Sequence, residues 1–331
     1  MVRSIRYKLF RYIVPLVVVP VVLSVALVLT RSTRILYSKA EESAYNNIAQ
    51  VRVNLDDVFS SGDSLFSALT LNQSLSTLLA RQTDIDRATD YRAASRLIGQ
   101  LQLLTKSYAN IDSIYVYDLS DDLLLLSEGS ALIESGIQNW SAYRNLAEGK
   151  KFGRWVRAAR EQGASWKNNE VLITCAYPLK RLTQHKIQGY LFINVNEREV
   201  RSYIDRMAFE KAAGMFVTDE DGTLIACADE TLFEACRAQG VIGRLISEGY
   251  EERASAALTN GAVRIYMEHS ASTGMRYFAA VPVEELSREV NSLFYIALWI
   301  GFPVVLASLM LSVGVSRFLY RPVRKLVDAM D

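Results

Sequence analysis

The chain has 331 residues, half of them hydrophobic, with 37 Lys and Arg against 36 Asp and Glu for a formal net charge of +1. That balance excludes a protein working through a global field on nucleic acid or an acidic substrate. The length allows two or three compact units, and the averages hide a strong segregation along the chain.

Residues 1–11 carry Arg3, Arg6, Lys8 and Arg11, and residues 12–30 then read YIVPLVVVPVVLSVALVLT without a charge. Near the other end residues 292–316 read SLFYIALWIGFPVVLASLMLSVGVS, again without a charge. A helix rises about 1.5 Å per residue, so ~20 residues cross a hydrocarbon core of roughly 30 Å. Both runs are predicted to be transmembrane helices, with Pro15, Pro20 and Pro303 tolerated as membrane helices tolerate proline. Arg317, Arg321, Arg324 and Lys325 follow the second run, and Glu284, Glu285 and Glu289 approach it from the other side. Positive charge marks the cytoplasmic flank. The expectation is a protein that crosses the cell membrane at both runs, with both termini cytoplasmic and residues 31–291 extracytoplasmic. Arg31, Arg34 and Lys39 weaken the asymmetry without reversing it. A cleaved signal peptide is the competing reading of the first run, but the run is too long and SVALVLTRS offers no small-x-small cleavage site.

Residues 31–109 are expected to form a stalk and a second helix. From Ser32 to Ala80 the chain reads as one long helix. Ile48, Val51, Leu55, Val58, Gly62, Leu65 and Leu69 alternate steps of three and four, the seam of a helix that pairs with another. Phe59 and Phe66 widen the stripe toward the helix's own domain. Homodimerisation through this stalk is expected, with ordinary core packing the alternative use of the stripe. Asp84 to Tyr108 reads as the next helix, with Ala93, Leu97, Leu101 and Leu104 on one side.

The period then changes from helical to alternating. Asp112 to Ser127 (DSIYVYDLSDDLLLLS) predicts strand, turn and returning strand. Glu170 to Leu179 and Gly189 to Val195 predict further strands, separated from the first pair by a loop-rich stretch, Glu128 to Asn169, that holds Trp140, Trp155 and Trp166. Val200 to Met207 reads as a connecting helix. The grammar repeats in MFVTDEDGTLIACA (residues 215–228), VRIYMEH (263–269) and MRYFAAVP (275–282), before Glu284 to Asn291 leads back to the second apolar run.

In order and spacing these segments resemble the double-Cache family of extracytoplasmic sensors. IDSIYVYD and QGYLFINVN carry the likeness in one lobe, MFVTDEDGTLIA and MRYFAAVPVEEL in the other, and the match covers residues 31–290. The resemblance implies an α+β fold: a long N-terminal stalk helix and two tandem PAS-like lobes, membrane-distal at 110–199 and membrane-proximal at 200–291, flanked by the two transmembrane helices. After Ser316 the chain reads RFLYRPVRKLVDAMD, and residues 317–331 resemble the opening of a HAMP linker, with Pro322 near a helix start. A similar junction occurs in Cache-bearing membrane regulators of the AraC type. So short a tail holds no output domain; the chain is expected to be the front of a longer receptor or to act through a partner.

The chemistry of catalysis is missing from the pattern. His185 and His269 are the only histidines and stand apart, and no GxxxxGK, HExxH or GxSxG motif occurs. No cofactor, metal or nucleic-acid contact is expected, and no catalytic residue emerges. Asp219, Asp221, Thr223 and Glu230 fall at calcium-loop positions, but Leu224 stands where that loop needs glycine, so a hairpin turn is the better reading. Cys175, Cys227 and Cys236 make an odd set; Cys227 and Cys236 are either a short bridge or apolar filler.

Ligand pockets are mostly apolar and aromatic with a few orienting polar groups. On that ground, and because the resembled family binds ligands in its distal lobe, a small-molecule site is expected from Tyr117, Trp140, Tyr143, Arg144, Trp155, Arg157, Trp166, Tyr177 and Asn194. Amino-acid-sensing Cache domains show Arg-x-Trp-Tyr and a late-strand acid. Here Ser141 follows Trp140, Arg144 comes after it, and Asn194 occupies the late-strand position. Those departures argue against amino-acid sensing. The expected function is a sensor feeding a histidine kinase, with an AraC-type regulator or a non-sensing membrane adaptor as alternatives.

Overall fold

The computed structural model describes residues 2–79, 87–129, 131–133, 143, 152–159, 171–180, 186–207, 214–248, 253–258, 263–283, 292, 294–296, 298–307, 310 and 314. Side chains at 2–18, 21, 22, 87–91, 132, 133, 159, 207 and 248 lie outside this set. The chain divides into two compact units, Ala44–Pro282 and the pair of segments Met1–Ser43 and Val283–Asp331.

In the second of these units, the backbone of helix α1 (Val2–Thr70) is unbroken through the first apolar run, and residues 298–307 of the other run are helical. A Cβ added to Gly301 would lie 3.8 Å from Val25 Cγ2, so the two apolar segments touch there. Among the described residues no helix is long and apolar enough to cross a membrane. The side chains of 12–18, 21 and 22 and much of 292–316 lie outside the described set.

The unit Ala44–Pro282 is α+β. After α1 come α2 (Gln73–Leu79) and α3 (Arg87–Ser107), then β1 (Ser113–Asp118), β2 (Leu123–Leu126), β3 (Ala131–Ile133), β4 (Trp155–Ala159), β5 (Val171–Lys180) and β6 (Ile187–Asn196). Helix α4 (Glu197–Met207) leads to β7 (Gly214–Thr218), β8 (Leu224–Cys227), α5 (Glu230–Ala238), α6 (Val241–Glu248), β9 (Arg253–Ala257), β10 (Val263–His269) and β11 (Arg276–Pro282). The strands form a six-stranded sheet ordered β3-β2-β1-β6-β5-β4 and a five-stranded sheet ordered β8-β7-β11-β10-β9. All their pairings are antiparallel.

The expected helix to Ala80 is interrupted after Thr70, because Asn72 caps a new start: its Oδ1 accepts from the Ser74 and Leu75 amides at 2.8 and 3.3 Å. Strands β4 and β9 and helices α5 and α6 carry no periodic signal that the sequence reading used, being short segments between turns.

The stripe Ile48, Val51, Leu55, Val58, Leu65 and Leu69 is wholly buried. Its partners are the chain's own sheets: Val116, Ile173, Leu191 and Ile193 from the six-stranded one, Met215, Val217, Tyr266 and Tyr277 from the five-stranded one. The seam read as a helix-pairing surface is therefore consumed inside the chain, and this stripe is closed to a second copy. The spacing admitted both uses because a heptad seam and a two-sheet core contact demand the same period.

Polar contacts fix the helix in register. Asp63 accepts from the Tyr177 hydroxyl at 2.7 Å. Asp56 accepts from Ser270 (2.7 Å), Thr273 (2.9 Å), Tyr277 (2.8 Å) and Ser272 (3.2 Å). Arg52 pairs with the buried Glu268 at 3.3 Å. Replacing Asp56 by Ala strands the Tyr277 hydroxyl in the core, so the variant is expected to lose about 2–3 kcal/mol. Urea unfolding of wild type and Asp56→Ala measures that loss; a change within the experimental error contradicts the anchoring role.

Candidate functional site

Strand alternation gives the six-stranded sheet two unlike faces. One meets α1. The other carries Tyr115, Tyr117, Leu124, Leu126, Val156, Ala176, Tyr190 and Phe192, with Tyr143 and Phe152 half-buried against them. Register aligns this face in cross-strand rows: Leu124, Tyr117, Tyr190 and Pro178 in one, Leu126, Tyr115, Phe192 and Ala176 in the next. Close approach of β6 to β1 depends on Gly189, where a Cβ would collide with the Tyr117 carbonyl oxygen.

The rings pack edge-on and stacked. Tyr143 stands nearly perpendicular to Tyr117 and Tyr190, at centroid distances of 6.1 and 5.5 Å, and Phe152 stacks on Tyr190 at 5.4 Å. Burial, with the neighbouring Tyr143, pushes the Tyr190 phenol above its ordinary pKa. The Tyr117 hydroxyl donates to Asp122 at 2.9 Å.

The third row of this face is polar. Thr174 donates to Asn194 Oδ1 at 2.8 Å, Asn194 Nδ2 donates to Ser113 Oγ at 3.1 Å, and Ser113 donates to Asp112 at 3.0 Å. Ser113, Thr174 and Asn194 are buried. An aromatic floor ending in hydroxyl and amide groups can hold a small molecule's apolar body while hydrogen bonds orient its polar end.

Of the residues singled out in the sequence, Tyr117, Tyr143 and Asn194 share this face. Trp140, Arg144 and Trp166 lie outside the described residues. Trp155 and Tyr177 point the other way, one position off in the alternation of β4 and β5. Trp155 packs on Phe59 with centroids 5.2 Å apart, over Gly62 of α1, where a Cβ would stand 2.7 Å from its ring. Tyr177 stacks on Phe66 at 4.5 Å. Arg157 bridges Glu197 of α4 (3.0 Å) and Glu230 of α5 (2.7 Å). The sequence reading missed Tyr115, Tyr190, Phe192, Ser113 and Thr174. Their alternation with Ile114, Val116, Leu191 and Ile193 was visible, but only the β1–β6 register brings them together.

The corresponding face of the five-stranded sheet is filled. Phe216 stacks on Phe278 at 4.6 Å, and α5 and α6 cover it with Phe233, Cys236, Ile242 and Leu245. Cys227 and Cys236 are buried free thiols in that core, as Cys175 is in the other, so the short bridge does not form. Asp219 Oδ1 accepts from the Asp221 and Thr223 amides at 3.0 and 2.7 Å, which makes the acidic stretch a hairpin turn. Among the described residues no group of His, Cys, Asp and Glu is placed to hold a metal.

No protein-family model matches the chain, and no curated protein matches its sequence. Solved structures do match. The sensory domain of the Campylobacter jejuni chemoreceptor Tlp3 with isoleucine bound is 13% identical, with a TM-score of 0.51 over 77% of this chain and 97% of that one. The ligand-binding domain of Mlp24 with asparagine gives 14% identity and a TM-score of 0.50 over 78% and 98%. The extracellular domain of soHK1S-Z6, assigned as a histidine kinase, gives 15% and 0.51 over 77% and 97%. The fold is that of the Cache-like extracellular sensory domains of chemoreceptors and histidine kinases.

Burial raises the Cys227 and Cys236 thiols from the ordinary 9.0 to about 11, and Cys175 to about 12. A raised folded-state value means that the folded protein holds these protons more tightly than the unfolded chain. Stability is therefore full below pH 9 and falls as pH rises toward 11 to 12. Urea midpoints between pH 7 and 11 should decline only above 9, and a thiol reagent at pH 8 should label the cysteines only after unfolding. Labelling of the native protein contradicts their burial.

Proposed function

We propose that this chain is the sensing portion of a membrane receptor, and that a small molecule binds on the aromatic face of the six-stranded sheet. The observation carrying the reading is that face itself: Tyr115, Tyr117, Tyr190 and Phe192 ending in the buried Ser113–Asn194–Thr174 row. It lies in the lobe of residues 110–199, whereas the equivalent face of the other lobe (200–291) has no such polar row among its core residues. The charge-free runs 12–30 and 292–316, with their basic outer flanks, support two transmembrane helices and two cytoplasmic termini.

Signal output follows β4. Its Val156 and Ala158 face the aromatic site, Trp155 sits over Gly62 of α1, and Arg157 reaches Glu197 and Glu230. A ligand favouring one position of β4 shifts the balance between two arrangements of the lobes, and α1 is the segment that runs on into the first apolar stretch. The stretch 317–331 then serves as the start of a HAMP-like linker to a histidine kinase, an output favoured over an AraC-type regulator because extracellular domains of histidine kinases are among the structural matches. Homodimerisation, if the receptor uses it, needs a face of α1 other than the buried stripe.

Thermal unfolding of the purified chain against a metabolite panel that includes amino acids tests the site. A ligand at 100 times its Kd adds about 2.7 kcal/mol. Tyr143→Ala is expected to remove the ligand's shift while the unliganded midpoint stays close to wild type. A flat response across a broad panel sinks direct sensing. A second prediction concerns the relay: Gly62→Leu drives a side chain into the Trp155 ring and should cost about 1–3 kcal/mol, with Trp155→Ala restoring part of it in the double variant. Additive losses contradict the contact.

A further inference from the structure

Helices α2 and α3 enclose a cleft of about 290 Å³ lined by Gln73, Ser74, Thr77, Arg92, Ala93 and Arg96. We infer that it is a binding site for a tetrahedral oxyanion, a phosphate or the phosphate end of a larger molecule, held between the guanidinium groups of Arg92 and Arg96.

Arg92 and Arg96 stand one turn apart on α3 and share the cleft. Like charges at that spacing repel by a few tenths of a kcal/mol, and nothing lining the cleft among the described residues is acidic. No ion pair to a described carboxylate is formed by Arg92 or Arg96, whereas Arg52, Arg154 and Arg157 are each paired with one. A guanidinium offers a planar fork of N–H donors that matches two oxygens of one phosphate, so two forks flanking a small cleft suit a single tetrahedral anion. The Ser74 hydroxyl and the Gln73 amide add donors on the α2 side. Thr77 does not, because its hydroxyl proton is used on the Gln73 carbonyl at 2.8 Å. The cleft is separate from the aromatic face and does not rest on the sensing proposal.

The test uses the full chain in detergent micelles, with thermal unfolding followed against inorganic phosphate at constant ionic strength and pH. Phosphate stabilises proteins generally by exclusion from their surface, an effect that does not saturate at low concentration. The expected result is a saturable rise in the midpoint at low millimolar phosphate, absent with chloride. Arg92→Ala/Arg96→Ala should weaken the apparent affinity at least about tenfold, ~1.4 kcal/mol, while Arg244→Ala, at an exposed position of α6, leaves it unchanged. Glycerol phosphate distinguishes the source: equal binding assigns the cleft to an esterified phosphate, and weaker binding to the free ion. Should the double variant fail to fold, Arg96→Gln gives the same comparison at an exposed position. An unsaturable rise, or the same saturable rise in the arginine variants, overturns the assignment.

Discussion

The apolar stripe of α1 is the surface on which both sheets close. A sheet has two faces, and one helical stripe covers only one face of each. The other faces must be met by something else, and the two lobes meet them differently. In the second, α5 and α6 bring Phe233, Cys236, Ile242 and Leu245 onto Phe216 and Phe278, and the face becomes core. In the first, the face keeps Tyr115, Tyr117, Tyr190 and Phe192 above a short polar row. Both faces are buried, but only the first combines its rings with a buried row of hydroxyl and amide groups.

The polar anchors along α1 follow from the same constraint. A smooth apolar stripe tolerates sliding, since hydrophobic contact is nearly non-directional. Asp56 ringed by four hydroxyl donors, Asp63 on Tyr177 and Arg52 on Glu268 permit one register only. Between the lobes, Arg154 reaches Glu220 and Asp221 while Arg157 reaches Glu197 and Glu230. The two exposed pairs of Arg154 contribute about 0–1 kcal/mol each.

Strand β4 joins these features, and its role was illegible in the sequence. Its residues lie in a loop-rich stretch with no clear period, and Trp155 was read as a pocket residue beside Trp140 and Trp166. In the sheet, pairing with β5 puts Val156 on the aromatic face and turns Trp155 toward α1. The same one-residue displacement moves Tyr177 off the site while Ala176 stays on it. Composition marks a residue as aromatic; only register says which way it points.

By itself the sequence determined the two charge-free runs and their basic flanks, the long helix with its stripe, the period change to strands, and the repetition of that grammar in two lobes. These are properties of hydrophobic period and local charge, and both act within a few residues of chain. The tertiary structure alone decided what the stripe packs against, because one spacing serves a partner helix or a pair of sheets equally well. It decided which aromatics share a face, because β1 and β6 are far apart in the chain and meet only through hydrogen bonds. It also placed Arg92 and Arg96 across a cleft from α2, a contact between two helices that no local pattern encodes.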